Sequence, residues 1–146
     1  MGAYLYGGRW NSPGRYVVYA SGNVSLAMLE VLVHIDDAEA FARQAHVYQR
    51  LSFDEAQVAV LDEAALPNDW NARPETVATQ SIGDEWVARQ ETPVLAVPSV
   101  VVPAELRFEQ EYLNYLINPR HIDFKLAVKV GDVHALSWDP RFSRGS

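Results

Sequence analysis

Apolar residues in this chain come in short runs set between turn-forming residues, and the spacing within each run predicts the element. Residues 7–15 (GGRWNSPGR) are rich in Gly, Ser, Pro and Asn and predict a loop. Tyr16-Val17-Val18-Tyr19-Ala20 is a β-branched and aromatic run that predicts a short buried strand. Ser21 and Asn23 offer capping oxygens for a helix from about Val24 to His34. A second helix is expected from Asp36, with Glu39 three residues on completing a capping box. Residues 46–61 predict two short strands around a turn at Asp54-Glu55, and 64–74, with two prolines, two asparagines and Trp70, a surface loop. Helical spacing returns from about Glu75 to Gln90, interrupted by Gly83. Val94-Leu95-Ala96-Val97 and Val100-Val101-Val102 flank Pro98-Ser99, where the proline favours an edge strand or a bulge. Residues 109–124 look irregular, with Asn118-Pro119 as a stop, and Lys125–Val130, Gly131-Asp132 and Val133–Trp138 predict a closing hairpin. Helices and strands mix without a regular βαβ beat, which favours an α+β fold over a doubly wound one.

Size and charge narrow the picture. A chain of 146 residues fits one domain, and 49% apolar residues supply a real core. The formal net charge is −7 with Lys and Arg scattered, so the basic face of a general nucleic-acid binder is missing. There are no cysteines, which removes disulfides, thiol nucleophiles and thiolate metal sites together and is compatible with a reducing cytoplasm. No apolar run approaches the ~20 residues of a membrane helix. The start, Met1-Gly2-Ala3-Tyr4-Leu5-Tyr6, has neither the form of a signal peptide nor, with Tyr6 where Ser or Thr is needed, that of a myristoylation site. The final Arg144-Gly145-Ser146 carries no functional signal.

Glu30 is the first residue out of place. Its helix, Val24-Ser25-Leu26-Ala27-Met28-Leu29-Glu30-Val31-Leu32-Val33, is apolar nearly all round and predicts burial. A carboxylate there needs a partner or a water-filled cleft; the plainer reading is a narrow wet stripe holding Ser25 and Glu30. Arg9, after Gly7-Gly8, is placed either to fork onto a phosphate or carboxylate or to pack on Trp10. Gly-Gly alone is no phosphate-binding fingerprint. Tyr19 ends a strand just before this helix and serves either to stack on a flat ring or as a core residue with its hydroxyl at the edge. Ser99 has no nucleophile elbow around it. His34, His46, His121 and His134 show no metal spacing, and His34, one turn after Glu30, either orients that carboxylate or, as we favour, sits at the helix end.

Three blocks together resemble the RES domain, a family named for an Arg, a Glu and a Ser. They are Gly7-Gly8-Arg9-Trp10-Asn11-Ser12-Pro13-Gly14, then Val17-Val18-Tyr19-Ala20-Ser21, then Ala27-Met28-Leu29-Glu30-Val31-Leu32-Val33-His34. Pro98-Ser99-Val100-Val101-Val102-Pro103 is similar to the family's serine block, Asn114–His121 with Asp123-Phe124 to the next, and Trp138-Asp139-Pro140-Arg141-Phe142 to its closing strand. The resemblance spans nearly all of a single domain, 1–146, and is weakest over 45–90. The family's early strand, with an Arg that can contact a dinucleotide, has no counterpart in the six residues before Gly7.

This resemblance implies an α+β fold like that of the diphtheria-toxin-like ADP-ribosyltransferases, a small twisted mixed β core flanked by helices. It implies a cytoplasmic bacterial toxin paired with an Xre-like antitoxin, breaking NAD⁺ at the nicotinamide–ribose bond by hydrolysis or phosphorolysis and arresting growth by depletion. NAD⁺ is then a substrate, inorganic phosphate a possible co-substrate, and no resident cofactor or metal is called for. Transfer of ADP-ribose to a protein and a catalytically inactive antitoxin-binding module are the alternatives; a homodimer is compatible with the sequence but not argued by it. By motif, Arg9, Glu30 and Ser99 stand at the family's Arg, Glu and Ser, Tyr19 at a site tyrosine, and Asn118 at a site asparagine with Asn114 as its rival. The implied roles are charge stabilisation at the ribose for Glu30 and the diphosphate for Arg9, or a pair with Glu30 when the site is empty. Tyr19 would cover nicotinamide or ribose, and Ser99 would bind the ribose or orient Glu30. On this reading Arg9, Glu30 and Ser99 converge on one cleft.

Overall fold

A computed structural model describes residues 2–143. Arg144-Gly145-Ser146, to which the sequence assigns no function, lies outside the described residues. The elements in chain order are α1 (Gly2–Tyr6), β1 (Val18–Ser21), α2 (Val24–Leu32), α3 (Ala38–Ala42), β2 (His46–Phe53), β3 (Val58–Val60), α4 (Val77–Arg89), β4 (Val94–Pro98), β5 (Leu113–Ile117), α5 (Phe124–Ala127) and β6 (Val128–Leu136). Four strands form one mixed sheet in the order β1-β5-β4-β3, antiparallel except for the parallel β3–β4 pair; β2 and β6 form a second, antiparallel sheet. The class is α+β, as the lack of a βαβ beat predicts. No helix among the described residues is long and apolar enough to cross a membrane.

The core is built on β4 and β5. Every residue of β4 is buried, and its side chains alternate between two clusters. Leu95 and Val97 join Trp10, Val17, Trp70, Trp86 and Leu116 on one face. Val94 and Ala96 join Leu113, Tyr115, Ile117, Ala127 and Val128 on the other. Strand β5 replaces part of the irregular segment expected over 109–124, because Asn114 interrupts the apolar run that marks a strand. The interruption is functional in position, since Asn114 shares the face of Leu116 and lies in register with Ser21 on β1 and Val97 on β4.

Other differences have local causes. The β1 run is an edge strand, with Val18 and Tyr19 exposed, although Val17 before it is buried. Helix α2 is not sunk in the core: Leu26 is buried, but Val24, Leu29, Val31 and Val33 are exposed because the helix lies against the sheet edge and walls a cleft. Its cap is Asn23, whose Oδ1 accepts from Leu26 N at 2.8 Å, while Ser21 stays in the strand. Asp37, not Asp36, caps α3, and Glu39 pairs instead with Arg43 one turn on. The strands in 46–61 do not pair with each other; β2 takes β6 and β3 takes β4. Val100–Val102 turn away after Pro98, so the second half of that run is not a strand.

The expected closing hairpin is instead α5 followed by one continuous strand. Strand β6 passes through Gly131-Asp132 without reversing because β2 matches it in length, and the register shifts between Gln49 and Leu51. Gly131 fits there because a Cβ would lie 3.0 Å from Arg50 O.

Gly83 does not interrupt α4. It lets the helix approach the Gly-rich loop, since a Cβ at that position would stand 1.6 Å from Trp10 O. Asp84 beside it accepts from Ser12 N at 3.0 Å and from Ser12 Oγ at 2.5 Å, so α4 and the loop are joined at two adjacent residues. Gly83→Ala is therefore expected to destabilise the protein by about 3 kcal/mol or more, as overpacking against backbone that cannot yield. Denaturant unfolding beside Ala78→Gly, a change at an exposed position of the same helix, separates this from ordinary helix propensity, which is worth ~1 kcal/mol.

Candidate active site

A cleft of about 1210 Å³ opens beside the β1 edge of the main sheet, and its lining includes Gly8, Arg9, Tyr19, Ser21, Glu30, Ser99 and Asn114. Arg9, Glu30 and Ser99 thus reach one cleft from the Gly-rich loop, α2 and the end of β4.

Glu30 is held on one carboxylate oxygen. Ser99 Oγ donates a short hydrogen bond to Oε1, and Asn114 Nδ2 donates to the same atom at 2.7 Å. Among the described residues Oε2 has no hydrogen-bond partner. Ser99 is 1% exposed and is itself fixed by Val101 N, which donates to its Oγ at 3.2 Å. Ser21 Oγ donates to Asn114 Oδ1 at 2.8 Å, which turns the amide so that its nitrogen faces Glu30. Ser21, Asn114 and Val97 form one row across β1, β5 and β4, and Ser99 lies two residues beyond Val97, so the strand register places every member of this network. His34 donates from Nδ1 to the backbone oxygen of Glu30 at 2.8 Å; it closes the helix end and does not orient the carboxylate.

Arg9 is fixed elsewhere. Its Nη1 donates to Trp70 O at 2.8 Å and to Ala72 O at 2.9 Å. It makes no ion pair with Glu30, so the expected resting pair is absent. Burial pulls its guanidinium pKa down from the ordinary value, partly opposed by the nearby Glu75. The 64–74 segment is not simply a surface loop: Trp70 is buried, its ring stacked on Trp10 with centroids 6.5 Å apart, and its carbonyl holds Arg9.

Tyr19 has two faces. The residue is 38% exposed and lines the cleft, while its hydroxyl is turned inward, donating to Asn11 Oδ1 at 2.5 Å and accepting from Trp10 N at 3.3 Å. Gly8 packs so close that a Cβ would stand 2.7 Å from that hydroxyl. Asn11, fully buried, also donates to Ala3 O at 2.8 Å, and Gln80 Nε2 to Gly8 O at 3.1 Å. The tyrosine hydroxyl thus shapes the loop that presents Arg9, and its ring remains available to a ligand.

Asn118 is not in the cleft. It is 2% exposed, its Oδ1 accepts from Arg120 N at 3.0 Å and its own N–H donates to Pro93 O at 2.9 Å, so it shapes the turn after β5. Its rival Asn114 is the asparagine that meets Glu30. Ser21, Arg73 and Glu75 also line the cleft and had no assigned role. The alternation of β1 was the signal for Ser21, since Tyr19 and Ser21 share a strand face.

The chain matches the family described as RES domain over residues 1–139. It is 35% identical to "Toxin Res" of Yersinia enterocolitica over 140 residues, covering 96% of this chain and 86% of that protein. It is 43% identical to "Toxin Res" of Photorhabdus laumondii over 125 residues, covering 84% and 73%. The "Prs ADP-ribosylating toxin" of a Sphingobium species is 37% identical over 145 residues, covering 98% and 84%. Among solved structures, a chain of the MbcT-MbcA toxin-antitoxin complex of M. tuberculosis superposes with a TM-score of 0.66 at 18% identity, covering 93% of this chain and 75% of that one. That likeness is one of fold.

Burial holds the Tyr19 hydroxyl pKa well above its ordinary value of about 10. A pKa raised on folding means stability that is complete below pH ~10 and lost as pH rises toward the folded value. Tyr19→Phe is expected to cost about 1–3 kcal/mol at neutral pH, because Asn11 Oδ1 and Trp10 N lose their shared partner. The variant's stability is expected to fall less steeply than wild type above pH 10. Denaturant melts from pH 7 to 11 check both.

Proposed function

The chain belongs to the RES-domain family, and on that premise we propose that it is the toxin of a toxin–antitoxin pair, an enzyme that cleaves the nicotinamide–ribose bond of NAD⁺. The observation that carries the reading is the Glu30 carboxylate in the cleft, tied at Oε1 by Ser99 and Asn114 with Oε2 unpartnered. Nicotinamide is a neutral leaving group once it takes the electron pair of the breaking bond, and positive charge then develops on the ribose. A fixed carboxylate beside that ribose lowers the barrier because it needs no reorganisation as the charge appears. Water, or inorganic phosphate, forms the new bond to the anomeric carbon; water gives up a proton as it does so. Arg9 serves the diphosphate with its Nη2 and Nε donors, since Nη1 is committed to Trp70 O and Ala72 O. The Tyr19 ring covers nicotinamide or the adjoining ribose. Ser99 acts by orienting Glu30, and Asn114 rather than Asn118 is its companion.

An enzyme of this kind acts in the cytoplasm on NAD⁺, and a cognate antitoxin restrains it; an Xre-like protein is the partner the family resemblance suggests. A second reading, transfer of ADP-ribose to a protein, uses the same site with a different acceptor and draws on the printed name of the Sphingobium relative.

Incubating the protein with NAD⁺, with and without phosphate, tests the proposal. NAD⁺ is expected to disappear without added protein target, and Glu30→Gln to slow this by about a hundredfold or more. Intact NAD⁺ in every reaction overturns the cleavage reading, label on one protein favours the transfer reading, and equal activity in Glu30→Gln removes the role of that residue.

A further inference from the structure

The Arg9 side of the cleft carries a second cation. Arg73 directly follows Ala72, whose carbonyl accepts from Arg9 Nη1 at 2.9 Å, and Arg73 lines the same cleft as Arg9. The side chain is exposed, and among the described residues it makes no hydrogen bond or ion pair. Among the described residues Arg9 has no ion-pair partner either, and the Arg73 charge, at the same cleft, pushes the Arg9 pKa down. Two like charges that face one cleft, each with unused donors, repel one another. Glu75, two residues on and also lining the cleft, is the carboxylate that most opposes the lowering of the Arg9 pKa. A doubly charged ligand with several acceptor oxygens removes this repulsion, and the planar forks of two arginines suit a diphosphate better than a single carboxylate.

We propose that Arg73 and Arg9 together form the diphosphate-binding site of the cleft, with Arg9 as the fork anchored to the Trp70 and Ala72 carbonyls and Arg73 as the free one. Glu75 is the internal counter-charge that the diphosphate replaces. The two arginines come from segments 60 or more residues apart in sequence, and the pair of Arg9 hydrogen bonds holds those segments together. The assignment of this diphosphate to NAD⁺ rests on the reading of the preceding section, and the probes below separate the two.

Calorimetric titration with ADP-ribose and with inorganic pyrophosphate, at low and high salt, is the test. For wild type we expect binding of both. Arg73→Ala is expected to weaken ADP-ribose about tenfold, the value of a charge-assisted hydrogen bond. The loss should shrink at high salt, Arg73→Lys should fall between, and Glu75→Gln should bind pyrophosphate more tightly than wild type. Thermal melts of these exposed-site variants should match wild type. ADP-ribose binding that is indifferent to Arg73→Ala overturns the Arg73 assignment while leaving NAD⁺ as substrate. Arg73-dependent pyrophosphate binding without affinity for ADP-ribose or NAD⁺ keeps the anion site and overturns the NAD⁺ reading. Absence of binding to any of these probes overturns both.

Discussion

A carboxylate on an otherwise apolar helix is the constraint around which this fold is arranged. Leaving Glu30 in a dry core would cost several kcal/mol, and the structure avoids that by turning α2 out of the core, so that one side walls a cleft and several apolar side chains face solvent. The carboxylate is then met from the sheet. The antiparallel register of β1, β5 and β4 sets Ser21, Asn114 and Val97 in one row, and Ser99 extends it by two residues. The polar interruption in β5 that hides the strand from a periodicity argument is the residue that holds Glu30.

The Gly-rich loop meets the same cleft by different means. Its backbone approaches α4 at Gly83, its Ser12 is bonded to Asp84, and its Asn11 is shared between Ala3 and Tyr19. Arg9 therefore leaves a rigid base, and its two carbonyl partners lie in the segment that Trp70 anchors in the core. Tyr19 belongs to both halves. Its strand carries Ser21 toward Asn114, and its hydroxyl fixes the loop that carries Arg9.

The residues that converge were legible as motifs more readily than the elements carrying them. Glu30 stands out by its place on an apolar helix, while Arg9, Tyr19 and Ser99 are singled out by the resemblance of their blocks to the RES family; all four line one cleft. The helix over 24–34 was legible from spacing and its cap and that over 75–90 from spacing alone; β4 was legible as a strand from its apolar run, but it lies inside the sheet and not at the edge that Pro98 favours. The pairing of strands was not legible. Gly131-Asp132 looks like a turn locally, yet β2 supplies a partner running straight past it, and only the long-range pairing decides between the two. The same blindness to distant partners explains Asn118. Its neighbour Pro119 marks a turn, and the sequence does not tell an asparagine that builds that turn from one that reaches the cleft. Arg73 and Glu75 were hidden for a related reason, since their position depends on Arg9 binding the carbonyls next to them.

The hydrogen bonds of Arg9 and Glu30 explain why the two do not simply pair across the cleft. A solvent-exposed ion pair is worth about 0–1 kcal/mol. Each hydrogen bond to a charged group is worth about 1.5–3 kcal/mol. Arg9 has two such bonds to main-chain carbonyls, and Glu30 has two from Ser99 and Asn114. Closing the pair would sacrifice part of each set for a smaller return, so the charges stay apart. On the proposed reading this separation suits an elongated substrate with a negative end and a reacting, cationic end, because binding energy is not spent on breaking an internal salt bridge.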